Sequence, residues 1–554
     1  MSRRNRPKSK NNNSSQTVQT TLAYRCVDET PNGNTTIPYG LIRAVKSYFE
    51  FIGMDRFLSG LKRETRNAPR LDLLIEVLIV YTLYAGNSMN ACAEWANNGH
   101  VRKAFGFRRS DNIDQRTLDR ALAKIGEHRE RILETLWKGI SKRFEIDTYD
   151  VAVDGSAVIL YGPKSRFGKL GHPRDGGPGD LQVEFTVAVL MNLGIPIYIK
   201  LYEGNISDEE QYRVSIPEIS SLIQNRRISD LDAYRQQGME LEQLANLAKI
   251  GSTIVADNGA ASRENMLRTR KCGNMMLTRT RLNSADDAII CDPSSGFVYL
   301  EDLNVMCYMH TFDSSGRTKY LFCSPDLFNA VYQRALISMR RQIRKYRKTL
   351  ENGLRRSEYV TVKAHYGVDI EIKLSVQDLD IDELTDFEIE FMVREKLGPR
   401  AGFFKLESSE PMDPAEALRR YRQRGIVEQT IGSLKKITGI KPIRVWSDHG
   451  IEGSMILALL AEAVVSMIRY CVGKHYKSID KRSKTDNEHL PSTRKIAVSL
   501  GHLTLTRFRD ARGCFDSRLS NWNELSKAIF EDIHAHEAPE WGLKKVPAGP
   551  KIAA

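Results

Sequence analysis

The chain is poor in the features that mark several large protein classes. Its 554 residues include eight cysteines, Cys26, Cys92, Cys272, Cys291, Cys307, Cys323, Cys471 and Cys514, and no C-x2-C pair. That scatter gives neither zinc-ligand spacing nor a disulfide framework, so the thiols read as reduced and mostly buried. Long apolar runs are scarce. The best, Leu71 to Tyr84, is interrupted by Asp72 and Glu76 and is too short to span a bilayer, so it reads as a buried helix. There is no G-x4-G-K-[ST] loop, and no nucleotide cofactor is expected. The opening MSRRNRPKSK is basic but has no apolar segment behind it, unlike a secretory signal. The expectation is a cytoplasmic protein that does not enter the membrane. Acid is also in deficit: 82 Lys and Arg face 69 Asp and Glu, for a net charge of +13. Such a surplus favours a polyanionic partner without saying which one.

A chain of this length exceeds what one hydrophobic core usually spans, so several structural units are expected. Residues 1–20 carry Arg3, Arg4, Arg6, Lys8 and Lys10 with no acid and read as a disordered basic arm. Residues 37–145 show apolar positions at helical spacing and form a helical N-terminal domain whose basic content permits DNA binding. The texture changes at Thr148. TYDVAVDGSAVILYG is rich in β-branched residues. LQVEFTVAVL and IPIYIKLYEG flank a turn at Asn192 to Gly194 and read as an antiparallel hairpin. GSTIVADNG and NMMLTRTRL are further strands. Residues 148–284 and 405–472 therefore read as one α/β core. Residues 285–404 interrupt it as a β-rich insertion around a basic helix, and 473–554 are helix and coil. Within the core, DPAEALRRYRQRGIVEQTIGSLKKITG predicts a helix with Asp413 as N-cap before Pro414. GIEGSMILALLAEAVVSMIRYC, apolar nearly all round, predicts a core helix.

Two kinds of residue carry chemistry. Tyr421, Arg424, Glu428 and Lys435 stand at offsets of three, four and seven, so on a continuous helix they fall within an arc of about 60°. A carboxylate beside a phenol, a guanidinium and an ammonium can hold a divalent metal while its neighbours grip phosphate. The same spacing also serves a solvated salt-bridged face. Asp154 and Asp257 each end an apolar strand run where it opens into a loop, the edge where ligands meet α/β sheets. Each taken alone is equally a turn-forming Asp beside Gly. Together, two strand-end Asp residues and a helical Glu make a set of three carboxylates suited to two metal ions. Their mutual repulsion disfavours such a cluster unless a cation joins it.

These residues resemble an insertion-sequence transposase of the DDE superfamily, in the class whose third acid lies in a Y-x2-R-x3-E-x6-K (YREK) signature. YRQRGIVEQTIGSLK matches it at all four positions, VAVDGSAV resembles the first-Asp strand, and IVADNGAASRENM resembles the second, with Asn265 following. RDGGPGDLQ, residues 174–182, is similar to a DxRPDLxQ element of one branch but departs from it, since Gly177 and Gly179 flank Pro178. EGNISD is similar to another pattern of that branch. The resemblance implies a ribonuclease-H-like catalytic core. It implies that Asp154, Asp257 and Glu428 coordinate two Mg2+ ions, with Mn2+ able to substitute. Tyr421, Arg424 and Lys435 would hold DNA phosphates. It implies double-stranded DNA as partner, both terminal inverted repeats and target, a dimer on DNA, association with the nucleoid, and cut-and-paste transposition through hairpin ends. A domesticated DNA-binding derivative and a ribonuclease-H-like structure-specific nuclease are the alternatives.

Other positions remain ambiguous at this level. Asn205 and Asp208 read first as turn residues, with a place lining the metal cleft as the alternative; Gln182 and Asp180 are open in the same way, and His172 is a lone loop histidine that could approach DNA. Arg340, Arg341, Arg344, Lys345, Arg347 and Lys348 form a basic run that suits either DNA phosphates or a solvated helix face.

Overall fold

A computed structural model describes residues 35–533, apart from 64–67, 145–148, 162–164, 172–178, 237, 239, 241–251, 313–316, 352–358, 366–368, 376–384, 439–442, 444, 480–489 and 510–514. The basic arm and His172 lie outside the described residues, as does most of the RDGGPGDLQ element. The protein is a multidomain α/β chain with a mixed sheet. It divides into two compact units. The first takes the chain up to Asp147, Gly155–Ile206 and everything from Ile426; the second takes Thr148–Asp154 and Ser207–Gly425.

The first unit begins with a short strand, Thr35–Ile37, and then seven helices between Tyr39 and Arg143. Leu71–Tyr84 is buried on nearly every face, its Asp72 and Glu76 included. The burial of two acids explains the interrupted hydropathy: Arg70 pairs with Asp72, and Lys46 lies 3.5 Å from Glu76. The core helix Asp448–Ile479 packs along Gln115–Glu127 and along the strand Ile195–Glu203. Glycine sets the approach of the two helices. A Cβ on Gly453 would fall 1.9 Å from the Leu122 carbonyl oxygen, and one on Gly126 would fall 2.0 Å from that of His449. Asp448–Gly473 is long and apolar enough to cross a membrane, yet 83% of its most apolar window is buried within the protein.

The expected hairpin is present: Leu181–Leu190 pairs antiparallel with Ile195–Glu203, and Gly194 turns at φ +66°. The C-terminal region differs from the helix and coil expected of it. Thr504–Arg509 and Phe515–Ser520 form antiparallel strands, and Thr35–Ile37 adds a third. Short strands completed by a partner 470 positions away leave no local signal.

In the second unit, the N-terminal part of strand Val151–Ile159 pairs in parallel with Thr253–Ala256, which pairs in parallel with Met275–Thr280. Antiparallel strands continue the sheet in the order Phe403–Ser408, Thr318–Cys323, Val305–Thr311 and Val298–Leu300. The insertion therefore lends its first strands to this sheet. GFVYLEDLNVMCYMH is two strands separated by a 3-10 turn and by Asn304 at φ +51°. The rest of the insertion is a helical pair, Pro325–Glu351 and Asp386–Lys396, packed around Val331, Met339, Ile343, Ile389 and Val393, with a hairpin of Tyr359–His365 and Asp369–Ser375. A buried charge cluster ties the parts of this unit together. Asp286 accepts from Lys319 at 2.9 Å and from Lys405 at 2.8 Å, and all three side chains are nearly inaccessible.

Candidate active site

Register brings the two aspartates together. Val151, Ala152 and Val153 stand beside Ile254, Val255 and Ala256 on neighbouring parallel strands. One step further along each chain are Asp154 and Asp257, whose carboxylates emerge at the same end of the sheet. The apolar residues that precede each acid are wholly buried. Asp257 follows the last residue of its strand, as expected, but Asp154 does not end its own: the strand Val151–Ile159 runs on through it and is buried again at Ala157 and Val158, and what stops at Val153 is the parallel pairing with Thr253–Ala256. Asp257 also caps the 3-10 turn that follows, its carboxylate accepting from the Asn258 N–H at 2.8 Å, while its carbonyl accepts from Thr278 Oγ1 at 2.9 Å.

The helix Pro414–Gln423 supplies the next residues. Its start is as expected, with Asp413 accepting from the Glu416 N–H at 3.0 Å and Pro414 in the first turn. One residue before the signature, Arg420 fastens this helix to the sheet. Its Nη1 lies 3.1 Å from Asp150 Oδ2 and also donates to Thr253 Oγ1, and its Nε donates to Glu416 at 2.6 Å. Asp150 is buried, and burial pushes its carboxyl up, opposed by Arg420 and by the Thr253 N–H at 2.6 Å. Sequence reasoning missed this clamp. The only signal for Asp150 was an acid four positions before Asp154.

Tyr421 and Arg424 then reach the aspartates. Arg424 sits between the two carboxylates, with Nη1 3.4 Å from Asp154 Oδ2 and Nη2 3.6 Å from Asp257 Oδ2. Its side chain is 10% exposed, and its guanidinium lies 5.7 Å from the Tyr421 ring centre. The Tyr421 hydroxyl donates to Asp257 Oδ1 at 3.4 Å. Burial, followed by the Asp257 charge, pushes the Tyr421 phenol up to about 12. Tyr212 lies beneath, its hydroxyl donating to the Val153 carbonyl at 3.5 Å. Burial first, and then the charges of Asp154, Asp208 and Asp257, raise its phenol as well. Both phenols are therefore hydrogen-bond donors at neutral pH.

Asp208, read from sequence as a turn residue, is the first residue of the helix Asp208–Gln236 and packs against the loop of the second aspartate. A Cβ on Gly259 would fall 2.7 Å from Asp208 Cβ, so the glycine after Asn258 is what admits it. Gln182 has a structural use in the first unit, donating to the Gly204 carbonyl at 2.8 Å and to Glu184 at 3.3 Å.

The signature itself is not one continuous helix. Pro414–Gln423 ends at Arg424, whose N–H closes back onto the Tyr421 carbonyl at 3.1 Å, and a second helix, Gly425–Lys436, begins at once. Gly425 is the weakest helix former available at that point, and the Arg424 side chain is committed to the aspartates. Tyr421 and Arg424 belong to the second unit with Asp154 and Asp257; Glu428 and Lys435 are carried by the next helix in the first unit. That helix buries Val427, Thr430, Ile431, Ser433 and Leu434, which leaves Glu428 exposed and Lys435 half-buried. Ser433 donates to the fully buried Glu462, which also accepts from Thr493 at 3.2 Å and lies 3.8 Å from Arg469.

Among the described residues, no three His, Cys, Asp or Glu side chains stand together as a metal-binding group. Asp154 and Asp257 nevertheless fit a hard divalent cation in their chemistry. Both are carboxylates side by side on neighbouring strands, both face a single cationic group, and Mg2+ is commonly held by one or two carboxylates.

No protein-family model matches this chain. No curated protein matches it either. Among solved structures, one that matches is described as a piggyBac transposase synaptic complex with hairpin DNA. The match spans 84% of this chain and 80% of that one, at 10% sequence identity and a TM-score of 0.34.

Proposed function

We propose that this protein is a DNA transposase of the DDE superfamily, in the Y-x2-R-x3-E-x6-K class, with a ribonuclease-H-like core. In this reading it cuts DNA at transposon ends and joins the freed 3′-hydroxyl to target DNA, by in-line displacement at phosphorus without a covalent protein intermediate. The observation that carries the reading is the position of Arg424. Residues separated by 270 positions meet at 3.4 Å, and the same guanidinium reaches a second aspartate on the neighbouring parallel strand. An ordinary surface ion pair has no need of two acids in register on neighbouring parallel strands. The order of elements supports it too: a first-Asp strand, a hairpin, a helix, a second-Asp strand parallel to the first, then another helix and a third parallel strand.

Asp154 and Asp257, together with Glu428, are the residues that would hold two Mg2+ or Mn2+ ions, whose chemistry is to activate an attacking oxygen and neutralise a leaving one. The remaining roles belong to the chain itself. Tyr421, kept protonated, offers an O–H to a phosphate oxygen and is unsuited to attack phosphorus as a phenolate. Arg424 offers paired N–H donors of the geometry that fits phosphate, and Lys435 contributes an ammonium from the following helix. Arg420 positions both Tyr421 and Arg424 by fixing the helix that bears them.

The test is cleavage and strand transfer with Mg2+ on DNA bearing the ends that flank the gene, in wild type and in Asp154→Ala, Asp257→Ala and Glu428→Ala. Each variant should retain DNA binding and lose both reactions by at least about a thousandfold, a typical scale for removal of an essential electrostatic group. Undiminished activity in any one of them removes that carboxylate from the site.

A further inference from the structure

Two carboxylates side by side on neighbouring strands, each just past the last pair of a parallel ladder, repel each other, and repulsion of this kind is relieved by protonation or by a cation. Here a cation is built into the chain. Arg424 is almost completely enclosed, and its two terminal nitrogens divide between the aspartates, one each, at 3.4 and 3.6 Å. This is not the arrangement of a fork clamped on one carboxylate, in which both nitrogens pair with a single partner. It is the arrangement of a central charge between two acids. A guanidinium is also the residue best suited to phosphate, and it cannot be neutralised by deprotonation. The same group therefore suits two places. Its neighbours allow it to move between them. It follows the last residue of the helix Pro414–Gln423 and precedes the break at Gly425, so it is not locked within a helical turn. Tyr421, by contrast, is fixed within that helix, directly after the Arg420 clamp.

We infer that Arg424 is a counter-cation for Asp154 and Asp257 in the DNA-free protein, that it competes there with the divalent ion, and that it leaves for a DNA phosphate when the ion binds. The inference rests on the transposase reading for its metal and its DNA. It adds a regulatory property: the DNA-free enzyme holds metal weakly, and end DNA, by giving Arg424 another partner, completes the site. An enzyme that cuts DNA is thereby kept from assembling its metal centre away from a phosphate.

The experiment is a Mn2+ titration of the full-length protein without DNA, read by the electron paramagnetic resonance signal of free Mn2+. It compares wild type, Arg424→Gln, Arg424→Lys, Asp154→Asn and Asp257→Asn. Removal of a positive charge within 4 Å of both ligands should tighten Mn2+ binding by about tenfold or more in Arg424→Gln. Arg424→Lys, which keeps a charge but cannot span both acids, should fall between that variant and wild type. Each Asp→Asn protein should bind more weakly than wild type. Thermal melting gives a second readout that needs no activity: Mn2+ should raise the melting temperature of Arg424→Gln more than that of wild type. If Arg424→Gln binds Mn2+ no tighter than wild type while the Asp→Asn variants still lose binding, the counter-cation role is overturned and the metal site stands. If Arg424→Gln binds no Mn2+ at all, both the role and the metal site fall.

Discussion

At the scale of single residues, this protein repeatedly solves the problem of a buried charge by giving it more than one partner. Arg424 faces two aspartates, Arg420 joins Asp150, Thr253 and Glu416, and Asp286 joins two lysines. Burial by itself would raise the Asp286 carboxyl, but hydrogen bonds from Lys405, the Asn283 N–H and Lys319 hold it below its ordinary value. Breaking such a cluster costs more than omitting it, because the remaining charges stay buried and unpaired. Asp286→Asn should therefore lower the unfolding free energy by about 3–5 kcal/mol in a denaturant titration. A loss under about 1 kcal/mol would mean that the lysines find water or new partners. None of these multi-partner sites was read from the sequence. Their members are separated by tens to hundreds of positions, and an isolated Lys or Asp in a strand has no pattern of its own.

At the scale of elements, the helix Leu71–Tyr84 shows how a core helix can carry ionisable groups. Burial is the largest effect on Glu76 and raises its carboxyl from 4.5 to about 7, against the opposing pull of Lys46. One of its oxygens is enclosed without a hydrogen-bond donor, although Lys46 lies near. The sign follows from proton linkage. Between the unfolded value and the folded one, the folded protein holds a proton that the unfolded chain has lost. Stability from this group is full below pH 4.5 and is lost as pH rises toward 7. The slope is about 1.4 kcal/mol per pH unit at most. Melting curves between pH 5 and 7.5 should show wild type losing stability relative to Glu76→Gln as pH rises; parallel curves would show that Glu76 titrates normally. The helix itself was legible, as were the hairpin around Gly194, the strand that carries Asp154, the strand that ends before Asp257, and the Asp413 cap, whereas the end expected at Asp154 was wrong because the strand runs on to Ile159. Each of these is specified by neighbours within a few residues. The break after Arg424 was not legible, because the pattern of the signature is helical on both sides. The break falls where Arg424 reaches two distant carboxylates and Gly425 follows, neither of which is visible in the spacing of the signature.

At the scale of the whole chain, the charge of +13 is unevenly placed. On the long helix Pro325–Glu351 one face is buried with Val331, Ala335, Met339 and Ile343, while Arg341, Arg344, Lys345 and Lys348 are exposed. Arg340 on the same helix is engaged by Asp386 at 3.3 Å and Glu390 at 2.9 Å and belongs to the packing of the helical pair. If the exposed residues track DNA phosphates, the affinity for non-specific duplex DNA falls steeply with salt, and each lost contact reduces the slope of log K against log salt by about one. Fluorescence anisotropy across a salt series should give Arg344→Ala/Lys345→Ala a slope about two units shallower than wild type. An unchanged slope assigns that face to solvent.

What the sequence determined by itself is a list of parts: the core strands around the two aspartates, which helices are buried, the acid that follows the strand Thr253–Ala256, and the spacing of Tyr421, Arg424, Glu428 and Lys435. These are local properties, set by residue periodicity and by caps and turns a few residues long. What only the tertiary structure decided is which parts meet. The parallel register of two strands a hundred residues apart sets Asp154 beside Asp257, and the clamp on Arg420 aims the following turn at both. The break after Arg424 assigns Tyr421 and Arg424 to one compact unit and Glu428 and Lys435 to the other. The physical reason is that charge pairing and strand register act through space: their energy depends on distances between side chains, which the order of residues along the chain does not contain.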